Sequence, residues 1–249
     1  MRIIALTGKG GVGKTSLSAA ITRCLTDMYP DKKILAIDAD PAVGLAAVLG
    51  VDVKKTIDDI RRDIIEGVEN SDTKSVAELL AEAKYQLYDA IVEQDGYSFI
   101  AIGRPEAAGC YCKINSYLKE VIALLSEAYD YVVIDGEAGI EQVNRRVMEK
   151  VTDLILVTDA SKKGCEVIKT IKNVADDLVM YDNAGVIANR LPNSDIAARL
   201  DLSGMKLLCA ITGDDDLAMC DIMGESVFKL SPDTKIMQGA KQAVKELGL

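Results

Sequence analysis

The sequence predicts an α/β protein with a mostly parallel sheet covered by helices on both faces, and three observations carry that prediction. Short apolar runs rich in β-branched residues recur along the chain, separated by longer stretches with helical three- and four-residue spacing. The runs are continuously apolar, as in Tyr131-Val132-Val133-Ile134, which is the pattern of strands buried on both sides. Polar or glycine-rich segments follow these runs directly, at Gly8–Thr15, Asp38–Asp40, Gly103–Cys112 and Asp135–Gly139. A parallel sheet gathers its ligands at the carboxyl ends of its strands in this way.

Taken in order, the first strand is the run Arg2–Thr7, and the glycine-rich segment behind it opens a helix near Thr15 with Leu17, Ile21 and Leu25 on one side. Further strands are read at Ile34–Ile37, Phe99–Ile102, Tyr131–Ile134, Leu154–Val157, Gly185–Ala188 and Leu207–Ile211. Between them, the charged stretch 51–95 carries Ile57, Ile60, Ile64, Ile65, Val76, Leu79, Leu80, Ala83 and Leu87 at helical spacing and reads as a helical insertion. The last stripe, Ile236, Met237, Ala240, Val244 and Leu247, reads as a core-packing terminal helix. Its alternative, a membrane-targeting amphipathic helix, would call for large aromatics and a dense cationic face, which it lacks. With no internal repeat, low-complexity tract or Pro/Ser-rich linker, residues 1–249 read as one domain.

Composition narrows the chemistry. A net charge of −10 without a basic block argues against nucleic acid as a partner. No signal peptide precedes the first strand and no stretch reaches the roughly 20 apolar residues of a spanning helix, so a cytoplasmic location without a membrane partner is expected. The six cysteines then sit in a reducing compartment, most of them as buried small hydrophobes. The chain contains no histidine, which excludes Ser/His and Cys/His catalysis and His-ligated metal sites; a transition metal would need Cys, Asp or Glu.

The segment Gly8-Lys9-Gly10-Gly11-Val12-Gly13-Lys14-Thr15 has the full G-x-x-x-x-G-K-T spacing between a strand and a helix. Its glycines let successive backbone N–H groups turn toward phosphates, Lys14 supplies a point charge to the β/γ oxygens, and the Thr15 hydroxyl can ligate Mg²⁺. The helix that follows directs its positive end at the same anion. ATP with Mg²⁺ is the expected ligand, and the architecture becomes that of a P-loop NTPase three-layer sandwich.

Lys9, directly behind the first glycine, resembles the second lysine of the deviant Walker A superfamily that includes nitrogenase iron protein, the MinD and ParA ATPases, and the arsenite and tail-anchored-protein ATPases. The resemblance implies an ATP-dependent homodimer in which Lys9 reaches the partner's nucleotide; a solvated surface lysine is the plain alternative. Ile37-Asp38-Ala39-Asp40-Pro41 resembles that superfamily's switch I, which implies that Asp40 orients the attacking water and that Asp38 lies in the magnesium shell. An Asp-Pro turn at a strand end would look the same. Val132–Gly139 resembles a Walker B strand fused to switch II, implying that Asp135 holds magnesium through a water and that Gly139 offers its N–H to the γ-phosphate. Gly185–Arg190 resembles the strand ending in a base-reading asparagine, so Asn189 is expected at the adenine amino group. Ser16 and Arg190 complete the expected nucleotide site. Lys9, Lys14 and Asp40 are the expected catalytic residues.

Cys110-Tyr111-Cys112 follows a strand and sits near Gly and Pro. In a helix, residues two apart diverge by about 200°, but in an extended loop the two thiols lie on one side and can chelate one ion. A two-fold dimer would supply four thiolates, which suits Zn²⁺ or a soft transition metal. Spacing alone leaves buried cysteines or a redox role open. The segment Cys110–Leu118, with Asp135–Glu141 and the P-loop, is similar to the CooC family, ATPases that assist nickel insertion into carbon monoxide dehydrogenase and acetyl-CoA synthase. That resemblance implies that Cys110 and Cys112 bind Ni²⁺ or Zn²⁺ between two chains, and that ATP binding and hydrolysis drive transfer to such a client enzyme. A MinD/ParA-type positioning ATPase without a metal role is the alternative. An iron–sulfur electron donor would need a cysteine shortly after Gly139, and an Mrp-type scaffold a C-x-x-C that Cys209 and Cys220 do not make.

Overall fold

The computed structural model describes residues 1–40, 42–70, 85–103, 120, 122–136 and 150–249. β1 (Arg2–Gly8) leads into α1 (Lys14–Met28), and β2 (Ile34–Asp38) is followed by α2 (Gly44–Leu49) and α3 (Ile57–Asn70). Next come β3 (Val92–Gln94), β4 (Tyr97–Ala101), β5 (Tyr131–Asp135), β6 (Asp153–Thr158) and α4 (Lys162–Leu178). β7 (Asn183–Leu191), β8 (Leu207–Thr212), α5 (Asp215–Ile222) and α6 (Lys235–Glu246) complete the chain. Among the described residues the strands form one sheet in the order β3-β4-β2-β5-β1-β6-β7-β8. Every pairing is parallel except β3 with β4.

Side chains alternate across a strand, so a strand apolar at every position feeds two cores. Ile3, Leu35, Ile37, Ile100, Val132 and Ile134 face one side with Ile57, Ile60 and Ile64 of α3 and Ile168 and Ile171 of α4. Ile4, Leu6, Ala36, Phe99, Val133 and Ile155 face the other with Leu17, Ile21 and Leu25 of α1 and Ile236, Met237, Ala240 and Val244 of α6. This is the expected three-layer sandwich, and the C-terminal stripe is core. At the amino ends of the strands, Arg2 makes a two-pronged bond to the fully buried Asp153 (2.8 and 3.0 Å), which also accepts from Asn183 at 3.1 Å. This cluster locks β1, β6 and β7 in register.

Two features depart from the reading of 51–95. Residues Val92–Gln94 form an edge strand, turned back onto β4 through Asp95 and Gly96, whose φ of +82° favours glycine. Ile57, Ile60 and Leu87 also lie in the same core as the central sheet. Three residues, two of them polar and exposed, gave no strand periodicity to read.

Candidate functional site

Because the central strands run in parallel, β1, β2, β5, β6 and β7 deliver their carboxyl ends to one edge. β1 lies between β5 and β6, so the P-loop emerges at the centre. Gly8 is packed against β6 so closely that a Cβ there would stand 2.1 Å from the Val157 carbonyl oxygen. Gly13, at φ +90°, ends the loop and begins α1 without any side-chain cap, and the first turn holds no acidic residue. The amides of that turn, and the positive end of a 15-residue helix, are therefore directed at an external anion.

β7 sets the loop's orientation. Asn189, buried at 4% exposure, donates from Nδ2 to the Val12 carbonyl at 2.8 Å, and Arg190 donates from Nη1 to the Gly11 carbonyl at 2.8 Å. In a trans peptide the C=O and N–H point in opposite directions. Turning the Gly11 and Val12 carbonyls outward to β7 thus turns the Val12 and Gly13 N–H groups into the loop. Arg190 holds this position at φ +57°, beside an irregularity in the β7–β8 ladder. Asn189, expected at the adenine amino group, makes this bracing contact because only β6 separates β7 from β1 in the sheet.

Lys14 folds over the loop, with Nζ 3.3 Å from the carbonyls of both Gly8 and Lys9. Lys9 does not extend outward in the single chain: its Nζ donates to Asp159 Oδ2 at 2.8 Å. Ser18, one turn after Thr15 on α1, donates from Oγ to Asp135 Oδ1 at 3.0 Å, and Thr15 lies near enough to stabilise the same carboxylate. Ser18 was not anticipated, although its three-residue spacing from Thr15 puts both hydroxyls on one helix face.

Asp135, at 1% exposure, has one carboxylate oxygen, Oδ2, with no hydrogen-bond partner among the described residues. Burial pushes its carboxyl up to about 6, against the pull of Thr15, Ser18 and Lys14. A buried, orphaned carboxylate oxygen beside the P-loop threonine and lysine is a donor set that fits Mg²⁺, which takes one or two protein oxygens and completes its shell with water and phosphate. Asp38, expected in the magnesium shell, is buried and engaged by backbone amides. Its Oδ1 accepts from the Asp40 amide (3.1 Å) and its Oδ2 from the Leu45 amide (2.8 Å), so it fixes the turn between β2 and α2. Burial first, and then the neighbouring Asp135 charge, push its carboxyl up to about 7. Asp40, half-buried, accepts from the Ala42 amide at 2.9 Å and lies near enough to Asp135 for its charge to be felt there.

Pro41, Cys110, Cys112, Glu137 and Gly139 lie outside the described residues, so the expectations placed on the two cysteines and on Gly139 concern residues beyond this description. The cysteines within it, Cys24, Cys165, Cys209 and Cys220, are all buried. Burial holds Cys24 up to about 11 and Cys209 up to about 12, which makes both poor thiolate ligands. Among the described residues no cluster of three or more Cys, Asp and Glu side chains is arranged to hold a metal ion. No helix there is long and apolar enough to cross a membrane.

Fold and site define an ATP-binding P-loop ATPase of the MinD/ParA type. The profile of the family described as AAA domain (AAA_31) matches residues 1–183, and the chain belongs to that family. It is 32% identical to the uncharacterized ATP-binding protein MJ0685 of Methanocaldococcus jannaschii, covering 98% of each chain. It is 28% identical to the carbon monoxide dehydrogenase accessory protein CooC of Rhodospirillum rubrum, over 92% of this chain and 90% of that one. Among solved structures it resembles the septum site-determining protein MinD of Pyrococcus horikoshii OT3 in complex with Mg-ADP, with a TM-score of 0.67, 25% identity and coverage of 98% and 95%.

Proposed function

We propose that this protein is a cytoplasmic, ATP-dependent metallochaperone: a homodimer that closes on ATP and Mg²⁺, hydrolyses the nucleotide, and delivers Ni²⁺ or Zn²⁺ to a nickel enzyme of the carbon monoxide dehydrogenase or acetyl-CoA synthase class. The observation that carries the ATPase part is the convergence of an uncapped α1, the outward-braced loop carbonyls and the orphaned Asp135 oxygen at one point. Gly8–Ser16 would cradle the phosphates, Thr15 and Asp135 would hold the magnesium, Asn189 and Arg190 would flank the base side of the loop, and Gly139 would meet the γ-phosphate. Magnesium, when bound, neutralises charge on the β/γ oxygens. The chain's own residues do the rest. Lys14 pairs with the β/γ oxygens, Asp40 aligns water for in-line attack, and Lys9 reaches the nucleotide of the second chain.

The cargo reading is supported by the CooC relationship and by the Cys110/Cys112 pair. Chromatography with light scattering and metal analysis tests it, using Ni²⁺ and Zn²⁺ separately. The proposal expects one metal per two chains, lost in Cys110→Ser/Cys112→Ser while MgADP binding persists. Unchanged metal stoichiometry in that variant would take the metal away from Cys110 and Cys112, and a parent that binds no metal would leave a nucleotide-switch ATPase without a metal role.

A further inference from the structure

If Lys9 works in the partner's nucleotide site, it must first leave the site it occupies in its own chain, and that site is built. β6 pairs with β1 so that Val157 stands beside Gly8, which places Asp159, just past the end of β6, next to the loop. Asp159 Oδ2 takes the Lys9 ammonium at 2.8 Å, and Ser161 Oγ lies 3.5 Å from the same nitrogen. The other oxygen, Oδ1, accepts from the Ser161 amide at 3.0 Å and from the Ser161 hydroxyl. Ser161 Oγ in turn accepts from the Gly164 amide at 2.9 Å and so caps α4. A Cβ at Gly164 would stand 2.3 Å from Asp159 Oδ1, so a glycine there leaves room for this carboxylate orientation. Partial burial works against ionisation, yet the bonds from Lys9 and Ser161 hold the Asp159 carboxyl below its usual range.

We infer that Asp159, oriented by Ser161, is a positioning residue that holds Lys9 in its own chain and thereby sets the nucleotide threshold for dimer closure. The inference rests on the dimer reading above. To release Lys9, a partner's nucleotide must offer the ammonium more than one carboxylate does. The added charge of a γ-phosphate does so and ADP lacks it, so the contact sharpens the distinction between ATP and ADP. A two-fold dimer breaks two such contacts on closing. The pair is roughly one-quarter exposed. Partly exposed pairs contribute little individually, about 0.2–1 kcal/mol each, so its removal from both chains should ease dimerisation between about two- and thirtyfold.

The test measures, by light scattering in the presence of Mg²⁺, the concentration of a non-hydrolysable ATP analogue that half-dimerises the protein. Because two nucleotides bind per dimer, Asp159→Asn and Asp159→Ser should both lower that concentration by the square root of this factor, up to about fivefold, with thermal midpoints confirming folded protein. Lys9→Ala should dimerise poorly, and adding Asp159→Asn to it should change nothing. An unchanged or raised midpoint in both Asp159 variants, with Lys9→Ala still impaired, would overturn the inference and leave the dimer reading standing. If Lys9→Ala dimerises like the parent, the dimer role of Lys9 falls and the inference falls with it.

Discussion

Replacing Asp135 by asparagine removes a charge that the apoprotein holds at a cost and that is proposed above to hold magnesium. The carboxyl is lifted from 3.8 to about 6 by burial. At 1.36 kcal/mol per pH unit, keeping it ionised near neutrality opposes folding by about 3 kcal/mol. Asparagine retains an oxygen for the Ser18 hydroxyl but places an N–H donor where Oδ2 had no partner, which returns about 1–3 kcal/mol of that gain. In EDTA, Asp135→Asn should therefore be as stable as the parent or up to about 2 kcal/mol more stable, with a thermal midpoint up to about 6 °C higher. MgADP at a hundred times its dissociation constant should add about 2.7 kcal/mol to the parent. The variant, having lost a magnesium oxygen, should gain less than half of that at the same concentration. Thermal unfolding in EDTA and in MgADP reads both effects. A variant more than about 1 kcal/mol less stable in EDTA, yet stabilised as fully by MgADP, would refute the assignment of Asp135 to magnesium.

Other perturbations have equally definite outcomes. Gly8→Ala forces a Cβ to within 2.1 Å of the Val157 carbonyl and should cost more than about 4 kcal/mol in urea unfolding; a midpoint near the parent's would show that β1 and β6 can separate freely. Asn189→Ala leaves the Val12 carbonyl without its donor and should weaken MgADP binding about tenfold by calorimetry, with unchanged affinity contradicting the bracing role. Asp40→Ala should bind ATP about as tightly as the parent but hydrolyse it at least about a hundredfold more slowly; retained turnover would remove Asp40 from water alignment. Asp38 and Asp135 are both raised on folding, so the folded state binds more protons than the unfolded one above pH 3.8. Their contribution is then present at low pH and lost as pH rises toward about 6 for Asp135 and about 7 for Asp38. In EDTA, the parent's thermal midpoint should fall between pH 5 and 7 more steeply than that of Asp135→Asn, and parallel profiles would contradict this.

The strands and the P-loop were legible because both signals are local: continuous apolar runs for strands buried on two faces, and a spaced glycine motif between a strand and a helix. What escaped was non-local or short. β3 has three residues and shows itself only in the Asp95-Gly96 turn. The bond between Lys9 and Asp159 spans 150 positions and exists because β6 lies beside β1. Asp159 could still have been suspected, since it follows an apolar strand at the sheet edge where the other functional residues gather. Asp38 and Asp40 look alike in sequence. Only the structure shows that Asp38 is buried and accepts two backbone amides from the turn between β2 and α2.

The measurement that bears most directly on the account is the mass of the hydrolysis-blocked Asp40→Ala variant in solution with MgATP and with MgADP. The account predicts twice the 26.8 kDa of the chain with MgATP and a single chain with MgADP. The same mass with both nucleotides would contradict an ATP-driven dimer.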